Sequence, residues 1–144
     1  MKELLEATQI SSSTLENYLV EIFETMVDQI ERDFFILVED CSGDNSFWSI
    51  NDYHEEDCDE PYGSIEIGDD QPVYDRIVSL AHEVGHVILS QHEYFGDYEE
   101  TIFRESVSWL FGYRYFLKKG WEIDLKEYKE KASEALGLYI RSFN

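Results

Sequence analysis

Cysteine is scarce: Cys41 and Cys58 are the only two in 144 residues. That is too few for a disulfide framework, and they are not spaced as a Cys-x-x-Cys metal or redox pair, so both read as free thiols. Basic residues are scarce as well. Eleven Lys and Arg stand against 32 Asp and Glu, a net charge of −21, and such a surface repels a phosphate backbone, which excludes direct nucleic-acid binding. No run approaches the ~18 consecutive apolar residues of a membrane span. The opening Met1-Lys2-Glu3-Leu4-Leu5-Glu6 lacks the basic-then-apolar order of a secretory signal. The expectation is a cytoplasmic protein with no membrane partner. Proline occurs only twice, and no repeat, linker or low-complexity tract divides the chain.

What is present is enough apolar material for one core. At 43% hydrophobic and 15% aromatic, residues 1–144 read as a single domain, since a chain of this length is too short for two ordinary ones. The acidic excess is uneven. Residues 33–75 hold 14 Asp and Glu and no Lys or Arg. The densest part, 52–61, has no apolar periodicity and reads as an exposed acidic loop. Its bland role is solvation; its sharper one is attraction of a basic partner. His54 and Cys58 within it could form a second metal site, but an exposed loop explains them as well.

Apolar positions at three- and four-residue steps predict a helix over 14–32, through Leu15, Leu19, Ile22, Phe23, Met26, Val27 and Ile30. The runs Phe34–Val38, Ser46–Ile50 and Ser64–Ile67 then predict a small antiparallel sheet of about three strands. Helical spacing returns from Val73 to Ser90, again from Glu99 to Lys119 with a stop at Gly120, and from Asp124 onward, where Asp124 and Glu127 have capping-box spacing. The fold class is α+β: one helix, a small sheet, then three helices.

One motif carries chemistry. His82-Glu83-Val84-Gly85-His86 lies inside the second helical pattern, where residues four apart share a face, so both imidazoles can reach one metal ion. Two histidines falling there by accident would not account for the Glu between them. Zinc suits two neutral nitrogens and a carboxylate, leaves a fourth position open and lowers the pKa of water there to about 7. Glu83 would take that water's proton. Gly85, a poor helix former in mid-helix, suggests close approach by another backbone.

A third ligand is needed, and Glu105 follows His86 after 18 intervening residues. Helical geometry places Glu105, Ser108, Trp109 and Gly112 on one face, so a carboxylate, a small residue and a glycine can look toward the first helix, with Gly112 opposite Gly85. Glu99 and Glu100 are rival ligands, although the helix dipole alone explains acids at that position. His92 stands six residues after His86, as in HExxHxxGxxH, but Leu89 occupies the glycine position. A continuous helix would leave His92 about 120° off the face. The only methionines, Met1 and Met26, lie upstream of where that class has its methionine turn. Among the tyrosines, Tyr113, Tyr115 and Tyr128 are candidates for donating to an oxyanion, against the simpler role of packing the core.

The stretch Arg76 to His86, preceded by Gly63-Ser64-Ile65-Glu66-Ile67 and followed by Glu105-Ser106-Val107-Ser108, resembles the ImmA/IrrE metallo-endopeptidases and, more broadly, gluzincins such as thermolysin. The resemblance spans about residues 63–112. It implies a zincin-like fold, one zinc ion per chain held by His82, His86 and Glu105, and peptide-bond hydrolysis with Glu83 as general base. It also implies that the strand before the active-site helix borders the substrate cleft, so that Ser64, Ile65, Glu66 and Ile67 pair with an extended peptide. The implied substrate is a protein, such as a regulatory DNA-binding protein, and the acidic surface suits a basic one. Trp109 stands where the family usually has Asn or Asp supporting the metal site, and the sequence has no basic helix-turn-helix segment. An alternative from another class is an acidic, non-catalytic binding protein, or nucleic-acid mimic, that retains the zinc-protease fold.

Overall fold

The computed structural model describes residues 12–50, 60–91 and 101–142. Helix α1 (Ser12–Phe34) begins two residues before the expected start at 14 and buries Phe23, Met26 and Ile30. It ends at Phe34 and is followed by Phe35, a non-glycine residue at φ 55°, where the chain turns sharply into the sheet. The apolar run Phe34–Val38 is therefore not one strand, as periodicity had suggested. Phe34 closes the helix and packs on Tyr115 with ring centroids 5.1 Å apart, Ile36 is buried in the turn, and strand β1 (Leu37–Cys41) starts only afterwards.

Strands β2 (Phe47–Ile50) and β3 (Gly63–Gly68) complete a three-stranded sheet of order β1-β3-β2. The expected antiparallel sheet is in fact mixed. β2 pairs with β3 antiparallel, Trp48 opposite Ile65, whereas β1 pairs with β3 in parallel, Val38 opposite Ile65. The cause lies in burial. Only β3 alternates fully buried with half-buried residues, while β1 and β2 are largely exposed, so the apolar strand takes the centre and the polar ones flank it. Chain order then forces β2 to the far side before β3 returns between them.

Helix α2 (Val73–Gln91) packs Ile77, Leu80, Ala81, Val84 and Val87 against Ile65 and Ile67 of β3 and against α1, in one apolar cluster that also takes in Phe116. The helix runs on through Leu89 to Gln91, as expected without a glycine at 89; His92 lies outside the described residues. Helix α3 (Thr101–Lys118) closes in a Schellman turn. There the Trp121 N–H donates to Phe116 O at 2.9 Å, the Gly120 N–H donates to Leu117 O at 3.0 Å, and Gly120 sits at φ 78°.

Helix α4 (Leu125–Ser142) is capped by Asp124, whose Oδ1 accepts from the Lys126 and Glu127 N–H groups at 2.9 and 3.2 Å. The other half of a capping box is replaced. The Asp124 N–H donates to the Tyr74 hydroxyl at 3.0 Å, tying the start of α4 to α2 instead of to Glu127. None of the described helices is long and apolar enough to cross a membrane.

Candidate metal centre

The centre is built on the α2–α3 pair, and the spacing of that pair is set by residues that lack side chains. A Cβ on Gly85 would lie 1.7 Å from Ser108 O, and one on Gly112 would lie 1.8 Å from Ala81 O. The two backbones therefore touch through Ala81 and Gly85 on one helix and Ser108 and Gly112 on the other. As the sequence suggested, the glycines close the helices on one another. The contact brings Glu105, one turn before Ser108, directly against the histidine face of α2.

His82, His86 and Glu105 converge. His82 Nε2 stands 2.7 Å from Glu105 Oε2, His86 Nε2 stands 3.1 Å from Oε1 and 3.2 Å from Oε2, and the two Nε2 atoms are 3.2 Å apart. A tetrahedral ion bonded at about 2.0–2.1 Å needs donors about 3.3 Å apart, so the 3.1–3.2 Å separations nearly match its edges and the 2.7 Å contact of His82 with Glu105 would open by roughly 0.6 Å. Two imidazole nitrogens and a carboxylate are also a donor set suited to a borderline divalent ion such as zinc.

Ser108 fixes which nitrogen of His86 faces the site. Its hydroxyl donates to Arg104 O at 2.8 Å, which uses its only proton, so at 3.0 Å it must accept from His86 Nδ1–H. The Nε2 of the neutral ring then carries a lone pair, as a ligand requires. That lone pair confronts the carboxylate oxygens of Glu105, and either a proton or a cation must relieve the repulsion. Sequence spacing had marked Ser108 only as small; its hydroxyl on the Glu105 face was the signal for this second task.

The electrostatics follow from that crowding. Burial lowers His86, but the hydrogen bond to Glu105 and the charges of Glu83 and Glu105 outweigh it, so its pKa rises above the ordinary 6.5. Burial raises Glu105, yet hydrogen bonds from His82 and His86 overcome this and hold its carboxyl down at about 2. Glu83, only 4% exposed, is pushed up by burial against partial relief from both imidazoles.

His82 is held differently. Its Nδ1 lies 3.7 Å from Glu83 Oε1, beyond hydrogen-bond reach, and its ring lies flat on Trp109, centroids 4.1 Å apart and planes 7° from parallel. Trp109 is in turn gripped by α4. The Tyr128 hydroxyl donates to the Trp109 carbonyl, and the two rings meet edge-on at 5.1 Å. The buried Nε1–H of Trp109 finds no acceptor among the described residues, an omission that costs about 1–3 kcal/mol.

The other sequence candidates fall elsewhere. Ser64, Ile65 and Glu66 lie in the central strand, paired with β1 on one side and β2 on the other, and Ile67 pairs with β1; the strand is thus not an edge that an extended peptide could extend, and Ile65 and Ile67 are core residues. Tyr115 donates to Asp33 at 2.5 Å and Tyr128 to Trp109, which commits both hydroxyls to structure. Cys41 is a half-buried free thiol. His54, Cys58, Glu99 and Glu100, and most of the acidic loop 52–61, lie outside the described residues.

Comparison with protein-family models, with curated proteins and with solved structures finds no match to this chain.

Proposed function

We propose that this protein is a zinc-dependent metallo-endopeptidase of zincin-like fold, in which His82, His86 and Glu105 hold one ion per chain and Glu83 is the general base. The observation that carries the reading is the three-way convergence of His82, His86 and Glu105 donor atoms beside the buried carboxylate of Glu83. Zinc, when bound, supplies a Lewis acid that activates water and polarises the scissile carbonyl. The chain's own residues do the rest. Ser108 keeps the His86 proton on Nδ1, and Glu83, its carboxyl raised by burial toward the working range of a general base, accepts the proton of the attacking water and passes it to the leaving amine. The resemblance of residues 63–112 to ImmA/IrrE proteins supports a protein substrate, and a regulatory DNA-binding protein is the candidate. The −21 charge supports a basic one, whose cleavage would slow as salt screens the attraction.

The test is metal content with hydrolysis of a basic, unstructured protein. Glu83→Gln should retain about one zinc per chain and lose cleavage by at least 100-fold, while His86→Ala and Glu105→Ala should lose the metal itself. A Glu83→Gln variant with full biological function would favour the acidic binding module. Wild-type protein that takes up no zinc would sink the peptidase reading.

A further inference from the structure

We infer that Trp109 is the positioning residue for His82, an inference that rests on reading His82, His86 and Glu105 as a metal centre. The two histidines are held by unlike means. His86 has a hydroxyl on its Nδ1; for His82 no described residue lies within hydrogen-bond reach of Nδ1, the nearest charge being Glu83 at 3.7 Å. Something must still fix the imidazole plane, because the helix sets only the position of Cβ and leaves the ring free to turn about its side-chain torsions.

The indole supplies that constraint. At 4.1 Å and 7° the two rings share a face, so any rotation of His82 that would swing Nε2 away from Glu105 must first slide or tilt off the indole. The indole is backed in turn, its ring buried and met edge-on by Tyr128 at 70°, while the Tyr128 hydroxyl ties the Trp109 backbone carbonyl to α4. His82, Trp109 and Tyr128 thus form a stack drawn from α2, α3 and α4, and through it the last helix reaches the metal site without contributing a ligand. The orphaned indole N–H fits this role: what the site uses is the flat face, and its polar edge is left without a partner.

The test is zinc affinity by competition with a chromophoric chelator, with unfolding of each metal-free variant measured in parallel. Trp109→Leu, which fills the space without a flat face, should weaken zinc binding by about 10–100-fold and alter the visible spectrum of the cobalt-loaded protein. Trp109→Phe restores a face and should stay within about threefold of wild type with an unchanged spectrum, although it removes as much indole. Tyr128→Phe unties the brace without emptying the core and should weaken binding by a smaller factor; it decides the matter if Trp109→Leu fails to fold. Equal affinity and spectra for wild type, Trp109→Leu and Tyr128→Phe would overturn the inference and reduce the stack to core packing. A wild type that binds neither zinc nor cobalt would instead remove the metal centre on which it rests.

Discussion

The α2–α3 pair and the three-stranded sheet are assembled on opposite terms. Between the helices, backbone meets backbone through Gly85 and Gly112, and the site residues Glu83, Glu105 and Ser108 are all buried. In the sheet, β3 is the buried strand, and although Val38 and Trp48 pack on the core, Leu37, Phe47 and Ile50 on the flanking strands are 41–47% exposed. The helix pair has one possible spacing because steric contact leaves no slack. The sheet is joined by backbone hydrogen bonds that any sequence can make, so its outer strands contribute pairing more than packing.

That contrast can be broken most severely at its tightest point. Gly85→Val should destabilise the protein by about 3 kcal/mol or more and abolish metal binding, because its Cβ would overlap Ser108 O; near-normal denaturant midpoints would show that the helices have room to part. Within the sheet, Ile65→Ala, which empties a fully buried site, should cost about 2–5 kcal/mol. Phe47→Ala on the neighbouring strand, at 47% exposure, belongs at the small end of the series, within about 0.5 kcal/mol. Equal losses at 47 and 65 would contradict the division between covered and flanking strands.

Between these extremes lies the site itself. Ser108→Ala should leave the fold intact and weaken zinc binding by about 10-fold or more, since His86 would lose the acceptor that keeps its proton on Nδ1; calorimetric titration reads this directly. The pH dependence of the metal-free protein sharpens the picture further. Glu105, held at about 2 against an ordinary 4.5, contributes stability that is present above pH 4.5 and is lost as pH falls toward 2. His86, raised above 6.5, contributes stability that is present below pH 6.5 and is lost as pH rises through its elevated value. Glu83, also raised, acts in the same sense as His86, its contribution present below 4.5 and lost on ionisation. Urea unfolding without metal should therefore weaken on both the acid side and the alkaline side, and a flat profile from pH 3 to 9 would contradict these couplings.

How much of this was legible in the sequence follows the same divide. Helix periodicity, the Asp124 cap and the Gly120 stop are local signals, and each appears where the spacing put it. His82 and His86 were legible because residues four apart share a helix face, and Glu105 because it shares a face with Ser108 and Gly112 on the next helix, where two glycines mark the contact. The parallel pairing of β1 with β3 was not, because strand partners are chosen by tertiary burial rather than by any local pattern. Phe34–Val38 misled for the same reason: an apolar run serves a helix end, a turn and a strand equally well. Trp109 was legible as a member of the Glu105 face but not as the partner of His82. That its ring would lie on His82 depended on α4 arriving behind it, and nothing within the helix announces that.

The contact at Gly85 and Gly112 has a thermodynamic consequence for any ion that enters. Donors from two independent segments must ordinarily be gathered from an ensemble, and affinity is reduced by the fraction of molecules that happen to present them. Here the gathering is done by folding. The distance from the histidines to Glu105 is set where two backbones touch, so a cation entering there would meet donors already gathered close to one another, with little left to collect from an ensemble.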